Sequence, residues 1–265
     1  MKRLKFYSRL YIKMISQYIK ARMQFRSDFY ISTFAMLLLN ITGLFTYWVL
    51  FYSINNIEGW NLNELIFLYS FALLAVTPMQ LFFDNLWVIR ISLRNGNFIK
   101  YYFKPINTLF YYVSEVFDIK GLGQLVLALT MLIYSSVKLG LHWTPLNIIM
   151  FVVFIFGSAL IMISLALMAA SVSFWVIESV SVLVLIFKLS EYARYPITIF
   201  NGFFRFIFTC IIPVAFIGYY PSRFFLKPDS VDMGVFATPF IGIGLFIIAY
   251  NIWRIGLNRY SGTGS

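Results

Sequence analysis

The sequence predicts an all-α polytopic membrane protein with about six transmembrane helices, and three observations carry that expectation. Of the 265 residues, 61% are hydrophobic and 12% charged, against roughly 45–50% and about 25% in soluble domains. A water-soluble fold of this size cannot hide so much apolar surface. The apolar residues also gather into runs close to the ~20 residues that cross a bilayer as a helix. Finally, Lys and Arg number 21 against 10 Asp and Glu, a net charge of +11. The cations cluster between alternate runs, as they do where basic residues collect on the cytoplasmic side. One His and one Cys exclude a metal site of several His or Cys ligands and a disulfide framework. The 20% aromatic content lies in long apolar runs, which argues for lipid and against nucleic acid as the partner of the positive charge.

Residues 1–28 are expected to form a cytoplasmic amphipathic elbow helix. Leu4, Tyr7, Tyr11, Met14, Ile15, Tyr18 and Ile19 recur at helical spacing, with Lys2, Arg9, Lys13 and Lys20 mainly on the other face. Such a helix lies in the headgroup plane, its cations on anionic lipid and its rings at the acyl boundary. It is too long and too basic to be a cleavable secretory signal. A single transmembrane domain, 29–260, follows, with spans expected at 29–52, 65–89, 121–139, 146–171, 175–189 and 235–253. The fifth run is short and carries Glu178 and Lys188 at its edges. Residues 195–225 are apolar but broken by Pro196, Arg205, Pro213, Gly218 and Pro221. They are expected to be an outer re-entrant segment or a pair of short helices. The tail 261–265 (Ser-Gly-Thr-Gly-Ser) is compatible with an appended tag and is left aside.

Charge sets the expected orientation. Eight cations precede the first span, opposed only by Asp28, and put the N-terminus in the cytoplasm. The loop with Glu58 and no basic residue reads as outside. Arg90, Arg94, Lys100 and Lys104 read as inside, as do Arg254 and Arg259 at the C-terminus. A full extra span at 195–225 would push the last two outside.

The segment 90–107 is the most informative stretch. Asn95-Gly96 is a turn or helix stop, and a short amphipathic piece, 97–103, follows and ends at Pro105. A new helix can begin at Asn107 or Thr108, with Glu115 and Asp118 on its polar side. If Phe98, Ile99, Tyr101, Tyr102 and Phe103 all faced the cytosol, the apolar patch would require a partner, either lipid or a cytoplasmic protein. Asp84 and Glu178 are candidates for an intramembrane polar role, because burying charge in lipid is costly. In the fourth run, Ala166/Ala170 and Ala169/Ser173 stand four apart, which lets helix backbones approach closely. No Gly is followed by Lys, so the chain has no phosphate-cradling P-loop. The pairs Gly121/Gly123 and Gly242/Gly244 are better explained by helix packing.

The order Arg94-x-Gly96, Lys104-Pro105, Tyr195-Pro196-Ile197, Ile212-Pro213-Val214 and Tyr219-Tyr220-Pro221 resembles that of permease subunits of ATP-binding cassette (ABC) transporters of the type-2 exporter class, in a bacterial branch of similar length. The resemblance implies a short cytoplasmic helix that docks in a cleft of a separate ABC ATPase subunit. It assigns that coupling segment to Arg94, Gly96, Asn97, Phe98, Ile99, Lys100, Tyr101, Tyr102, Lys104 and Pro105. It assigns an outer gate to Tyr195, Pro196, Pro213, Tyr219, Tyr220 and Pro221. ATP and Mg would be held by the partner, with no cofactor in this chain. A second permease copy, or a similar permease, and the bacterial cell membrane complete the implied setting.

The function expected is therefore an ATP-driven export permease, moving an amphipathic or hydrophobic cargo (peptide, drug or lipid) by alternating access, and not an enzyme by itself. An ion-coupled secondary transporter would want several ionisable groups near mid-membrane and inverted internal repeats. The first, third, fourth and sixth runs contain no such group. A membrane enzyme would need a clustered acid, base, nucleophile or metal, and the sole His142 falls on the expected outer side, far from Asp84.

Overall fold

The computed structural model describes residues 2–24, 26–53, 59–176, 179–228 and 233–260, and among them the chain is helical with no strand. Helix α1 (Lys2–Arg22) is followed by α2 (Arg26–Ser53). Helix α3 (Leu62–Phe83) starts from a reciprocal cap: Asn61 Oδ1 accepts from Glu64 N at 2.9 Å, and Glu64 Oε2 accepts from Asn61 N at 2.8 Å. It tightens into a 3-10 turn over Asp84–Val88 and continues as α4 (Ile89–Arg94). Two short helices, α5 (Ile99–Tyr102) and α6 (Thr108–Ser114), lead to α7 (Lys120–Lys138). Helix α8 (Pro145–Ser171) begins with a proline in its first turn, where the missing N–H costs nothing. Then come α9 (Val180–Ser190), α10 (Gly202–Phe206), α11 (Tyr219–Leu226) and α12 (Thr238–Arg259).

Five stretches among the described residues are long and apolar enough to cross a membrane: Tyr30–Val49, Leu62–Arg94, Lys120–Lys138, Pro145–Phe174 and Met233–Arg259. A pair bent by 74°, Gly202–Ile211 with Val214–Leu226, makes up to a sixth. The sequence-based fifth span over 175–189 requires correction. Trp175 and Val176 lie in no helix, and Ile177 and Glu178 fall outside the described residues. Helix α9 has only 11 residues, about 16 Å of rise, half of what a bilayer core needs. A 3-10 turn, Glu191–Arg194, extends it before Pro196. The chain then turns back through the bent pair, whose break falls at Pro213, a residue with no N–H to continue a helix.

Helix α3 is the hub, buried along most of its length and packed between α7 and α8. Its run from Leu65 to Val76 is apolar on every side, as expected of a helix enclosed by others. Polar side chains join it to its neighbours. Gln124 donates to the Leu73 carbonyl (3.3 Å) and to Thr77 Oγ1 (3.2 Å). Asn40 reaches Gln124 at 3.5 Å, and Tyr69 OH donates to the Asn40 carbonyl at 2.9 Å. Interhelical bonds of this kind hold helices together where lipid offers no hydrophobic contrast. Helices α8 and α12 make the most extensive pairing because Gly157 and Gly242 meet: a Cβ on Gly157 would lie 2.7 Å from Pro239 Cα. The outer faces of α2, α7, α8 and α12 expose Ile31, Leu39, Val126, Ile133, Ile149, Val152 and Ile247, the surface a bilayer would cover.

Candidate functional site

The segment after α4 is built around one ring. Helix α4 ends at Asn95, and Gly96 takes φ +71°, a left-handed conformation that glycine adopts without strain. The turn is closed by Phe98 N donating to the Ser92 carbonyl at 3.0 Å, and it drives the Phe98 side chain inward. Phe98 is fully buried, within 5.4–6.1 Å of the rings of Tyr101, Tyr112, Phe174, Trp253 and Tyr260. Tyr101 is buried as well, donating its hydroxyl to Glu115. The five apolar residues of 98–103 therefore do not share one exposed patch: the turn and a four-residue helix place Phe98 and Tyr101 in the body and leave Ile99, Tyr102 and Phe103 outside. Phe103 is 77% exposed. Arg94, Asn97, Lys100, Lys104 and Pro105 are exposed around them. Lys100 Nζ pairs with Glu115 Oε1 at 2.6 Å.

This cap is fastened to three other parts of the chain. Asn107 caps α6, its Oδ1 accepting from Phe110 N at 2.9 Å, while its Nδ2 donates to Tyr250 OH of α12 at 2.7 Å. Its backbone N–H points to Tyr7 OH of α1 at 3.4 Å, and the Tyr7 and Phe110 rings meet edge-on at 4.8 Å. Asn85 and Tyr112 exchange bonds, Asn85 Nδ2 to the Tyr112 carbonyl (2.6 Å) and Tyr112 OH to the Asn85 carbonyl (2.7 Å). Burial pushes the Tyr112 phenol up, and it pushes that of Tyr11, set against Phe82 and Phe110, up to about 12. Both rings stay neutral members of the packing at physiological pH. Asp84, at the start of the 3-10 turn, has Asp118, Lys120 and Arg22 as its charged neighbours.

The residues assigned to an outer gate lie along the half of α3 that begins at Leu62, away from the segment 90–107, and do not form one open surface. Pro196, Pro213, Tyr219 and Pro221 are buried. Tyr195 packs on Tyr47 at 5.3 Å, Tyr219 on Trp60 at 5.8 Å, and Tyr220 stacks on Phe216 at 4.4 Å. Ser158 Oγ of α8 donates to the Phe216 carbonyl at 2.9 Å and ties this hairpin to the fourth helix. A cleft of about 610 Å³ opens beside it, lined by His142, Trp143, Asn147, Phe224 and Phe236 among others. Among the described residues no group of His, Cys, Asp and Glu could hold a metal ion.

Sequence reasoning missed two sets of residues. Phe174, Tyr250, Trp253 and Tyr260 complete the cap beside the expected helix start at Asn107, and no spacing rule relates positions this far apart in the chain. Arg194, with Tyr47 and Tyr69, forms a polar cluster next to the expected gate. Its signal was legible, since an Arg directly precedes Tyr195-Pro196 in an apolar stretch. The description ABC-2 family transporter protein matches residues 37–264 of the chain. No curated protein and no solved structure matches it.

Proposed function

Because this chain belongs to the ABC-2 family of transporter proteins, we propose that it is the membrane permease of an ATP-driven exporter whose ATP and Mg are held by a separate ABC ATPase subunit. In this reading the end bearing α4–α6 and both termini faces the cytoplasm of a bacterial cell, following its cations. The ATPase grips Ile99, Tyr102 and Phe103, with Arg94 and Lys104 at the rim. A second permease copy, or a similar permease, completes the passage. Cargo with a large apolar part suits walls built mainly of aromatic and aliphatic side chains.

The observation that carries this reading is the attachment of the cap. Phe98 is clasped by rings from α6, the end of the fourth span, α12 and the chain just beyond it, and Asn107 is bonded to both α1 and α12. A push on the exposed face cannot be absorbed locally, because an interior packed at crystal-like density transmits displacement. It must move α12 and the elbow helix together, which is what alternating access requires of a coupling element.

The test is co-purification of the permease with an ABC ATPase subunit expressed with it. Tyr102→Asp combined with Phe103→Asp should leave the permease folded and remove both the associated ATPase and ATP hydrolysis by the complex. An ATPase that stays bound and active overturns the docking surface. Labelling of Asn97→Cys, in a Cys210→Ser background, should require permeabilised cells; labelling in intact cells overturns the orientation.

A further inference from the structure

A line of charge runs along α9 and its 3-10 extension, from the exposed Lys188 and Glu191 to the half-buried Arg194. Lys188 and Glu191 pair at 3.2 Å, with side chains 69% and 52% exposed. Arg194 follows three residues later, so the three share one side of α9 and its 3-10 extension. Their depth can be read from α3. Ala193 lies against Ala72, with Gly218 wedged between them so closely that its missing Cβ would strike the Ala193 carbonyl. Ala72 stands ten residues after Leu62 and twelve before Asp84, about 15 Å from one end of α3 and about 18 Å from the other. Arg194 follows Ala193 at this depth, whereas Lys188 lies toward the Asp84 end, where its neighbour Phe187 packs on Trp87 at 4.6 Å. A cation as deep as Arg194 is strongly disfavoured in lipid, so its guanidinium meets something polar.

The cluster is not internally neutral. Glu191 is engaged by Lys188. Arg194 has no carboxylate within ion-pair distance among the described residues. Its guanidinium donates to Tyr69 OH at 3.2 Å and lies 5.1 Å from that ring's centroid, while its backbone carbonyl accepts from Tyr47 OH at 2.5 Å. These partners are neutral, so they fix the position of the cation without cancelling its charge. A second copy of the chain cannot cancel it either. That holds for a copy that presents this same face: each brings Lys188, Glu191 and Arg194, a sum of +1, so two bring +2. Beside Arg194, Tyr192 packs on Phe200 and Phe208. Arg205 adds a second cation there, its guanidinium held by the carbonyls of Thr198 and Phe200.

We propose that Arg194, oriented by Tyr69 and Tyr47, is a mid-membrane seat for an acidic group, phosphate or carboxylate, on the transported molecule, whose apolar part lies along the Tyr192–Phe200–Phe208 rings. This rests on the reading of the chain as a translocation subunit and narrows its cargo to anionic amphiphiles. A guanidinium suits that task because it stays charged and offers a planar fork to paired oxygens.

The test uses the purified permease alone in nanodiscs of a zwitterionic lipid, with tyrosine fluorescence as readout. The probes are lysophosphatidic acid, the uncharged monoacylglycerol of the same chain length, and inorganic phosphate. Lysophosphatidic acid should bind saturably, at least tenfold tighter than monoacylglycerol, and Arg194→Gln should remove that preference while Arg194→Lys retains part of it. Phosphate binding as tightly as the lysolipid would support the seat and name a free anion as its occupant. Equal binding of the two lipids to the unsubstituted protein, or an unchanged preference in Arg194→Gln, overturns the proposal. Tyr69→Phe, which keeps the ring and the fold but releases the guanidinium, should weaken lysolipid binding severalfold, and no weakening argues against the seat. No ATPase is present, so failure of the docking surface would leave this result standing, and the reverse.

Discussion

The cap at the basic end and the charged face of α9 are assembled from the same residue types and are opposite in finish. In the cap, Lys100 has Glu115, Tyr101 has Glu115, Asn85 has Tyr112, and Asn107 spends its side chain on α6 and α12. In the α9 region a helix stops halfway, three backbone breaks follow within about twenty residues, and Arg194 is left with neutral partners. Those charged and amide side chains of the cap are paired, while Ser114 Oγ, Trp253 Nε1 and Tyr260 OH are buried without a hydrogen-bond partner among the described residues. What makes the cap a solid part is therefore the ring packing around Phe98. A cluster whose charge is left uncancelled holds interactions in reserve for something that arrives. The first region is built to carry force and the second to change partners.

The sharpest way to break that contrast is at Phe98. Truncation to Ala would leave a cavity among five rings, and burial of this kind predicts a loss of about 3–5 kcal/mol. Phe103→Ala, four-fifths exposed, should change stability within about 0.5 kcal/mol. Thermal unfolding of both variants in one detergent measures the difference. Equal melting temperatures would mean that the cap is not a rigid unit. The same pair sharpens function, since only Phe103 lies where an ATPase could touch it.

The next effect lies in the seam that joins the two regions. Gly157→Val places methyl groups on a Cβ that would already stand 2.7 Å from Pro239 Cα, so α8 and α12 must separate. Overpacking at backbone contacts costs about 1–3 kcal/mol. Unfolding of Gly157→Val and of Gly244→Val should differ by that amount, because nothing lies within 4 Å of a Cβ at Gly244.

That pair of glycines also shows how far the sequence could be read. Composition and run length dictated the helical membrane fold, and spacing marked Gly121/Gly123 and Gly242/Gly244 as packing sites. Gly121, Gly123 and Gly242 do meet close neighbours, whereas Gly244 does not, because which face of a helix meets another is a tertiary fact. Spacing does not tell which residues of 98–103 face outward, for a similar reason. A four-residue helix shows its inward face only once Tyr112 and Trp253 are in place. The fifth span failed because hydropathy averages over a window and cannot see that the chain leaves the helix before Val180. Arg194 was passed over because a single cation in an apolar stretch reads as a boundary, and its depth is given only by Ala72 and Tyr69.

Asn107→Ala tests the linkage within the cap. It removes the α6 cap and the bond to Tyr250, a loss of about 1 kcal/mol. The exposed face is unchanged, so the ATPase should still co-purify while transport per ATP hydrolysed falls. Tyr250→Phe, which removes the bond to α12 but not the cap, should reproduce the transport defect with a smaller loss of stability. Normal transport in both variants would break the link between the cap and α12.

The smallest effect is expected at Gln124, on the side of the contrast where polar groups are satisfied within the membrane. Its amide bonds α7 to α3 through Leu73 and Thr77, and its carbonyl meets Asn40 of α2. Gln124→Leu abolishes all three contacts, yet the predicted loss is only about 0.6 kcal/mol, because helices separated in a bilayer also find partners for their polar groups. The hydroxyl of Thr77 limits the damage further, since it already donates to the Leu73 carbonyl of its own helix at 2.8 Å. Steric-trap or denaturant unfolding in bicelles can resolve a change of that size. Asn40 Nδ2 likewise keeps its bond to the Met36 carbonyl at 3.0 Å, so a loss several times larger would show that the α2–α3–α7 cluster depends on Gln124 as a unit and belongs with the rigid cap rather than with the responsive middle of the molecule.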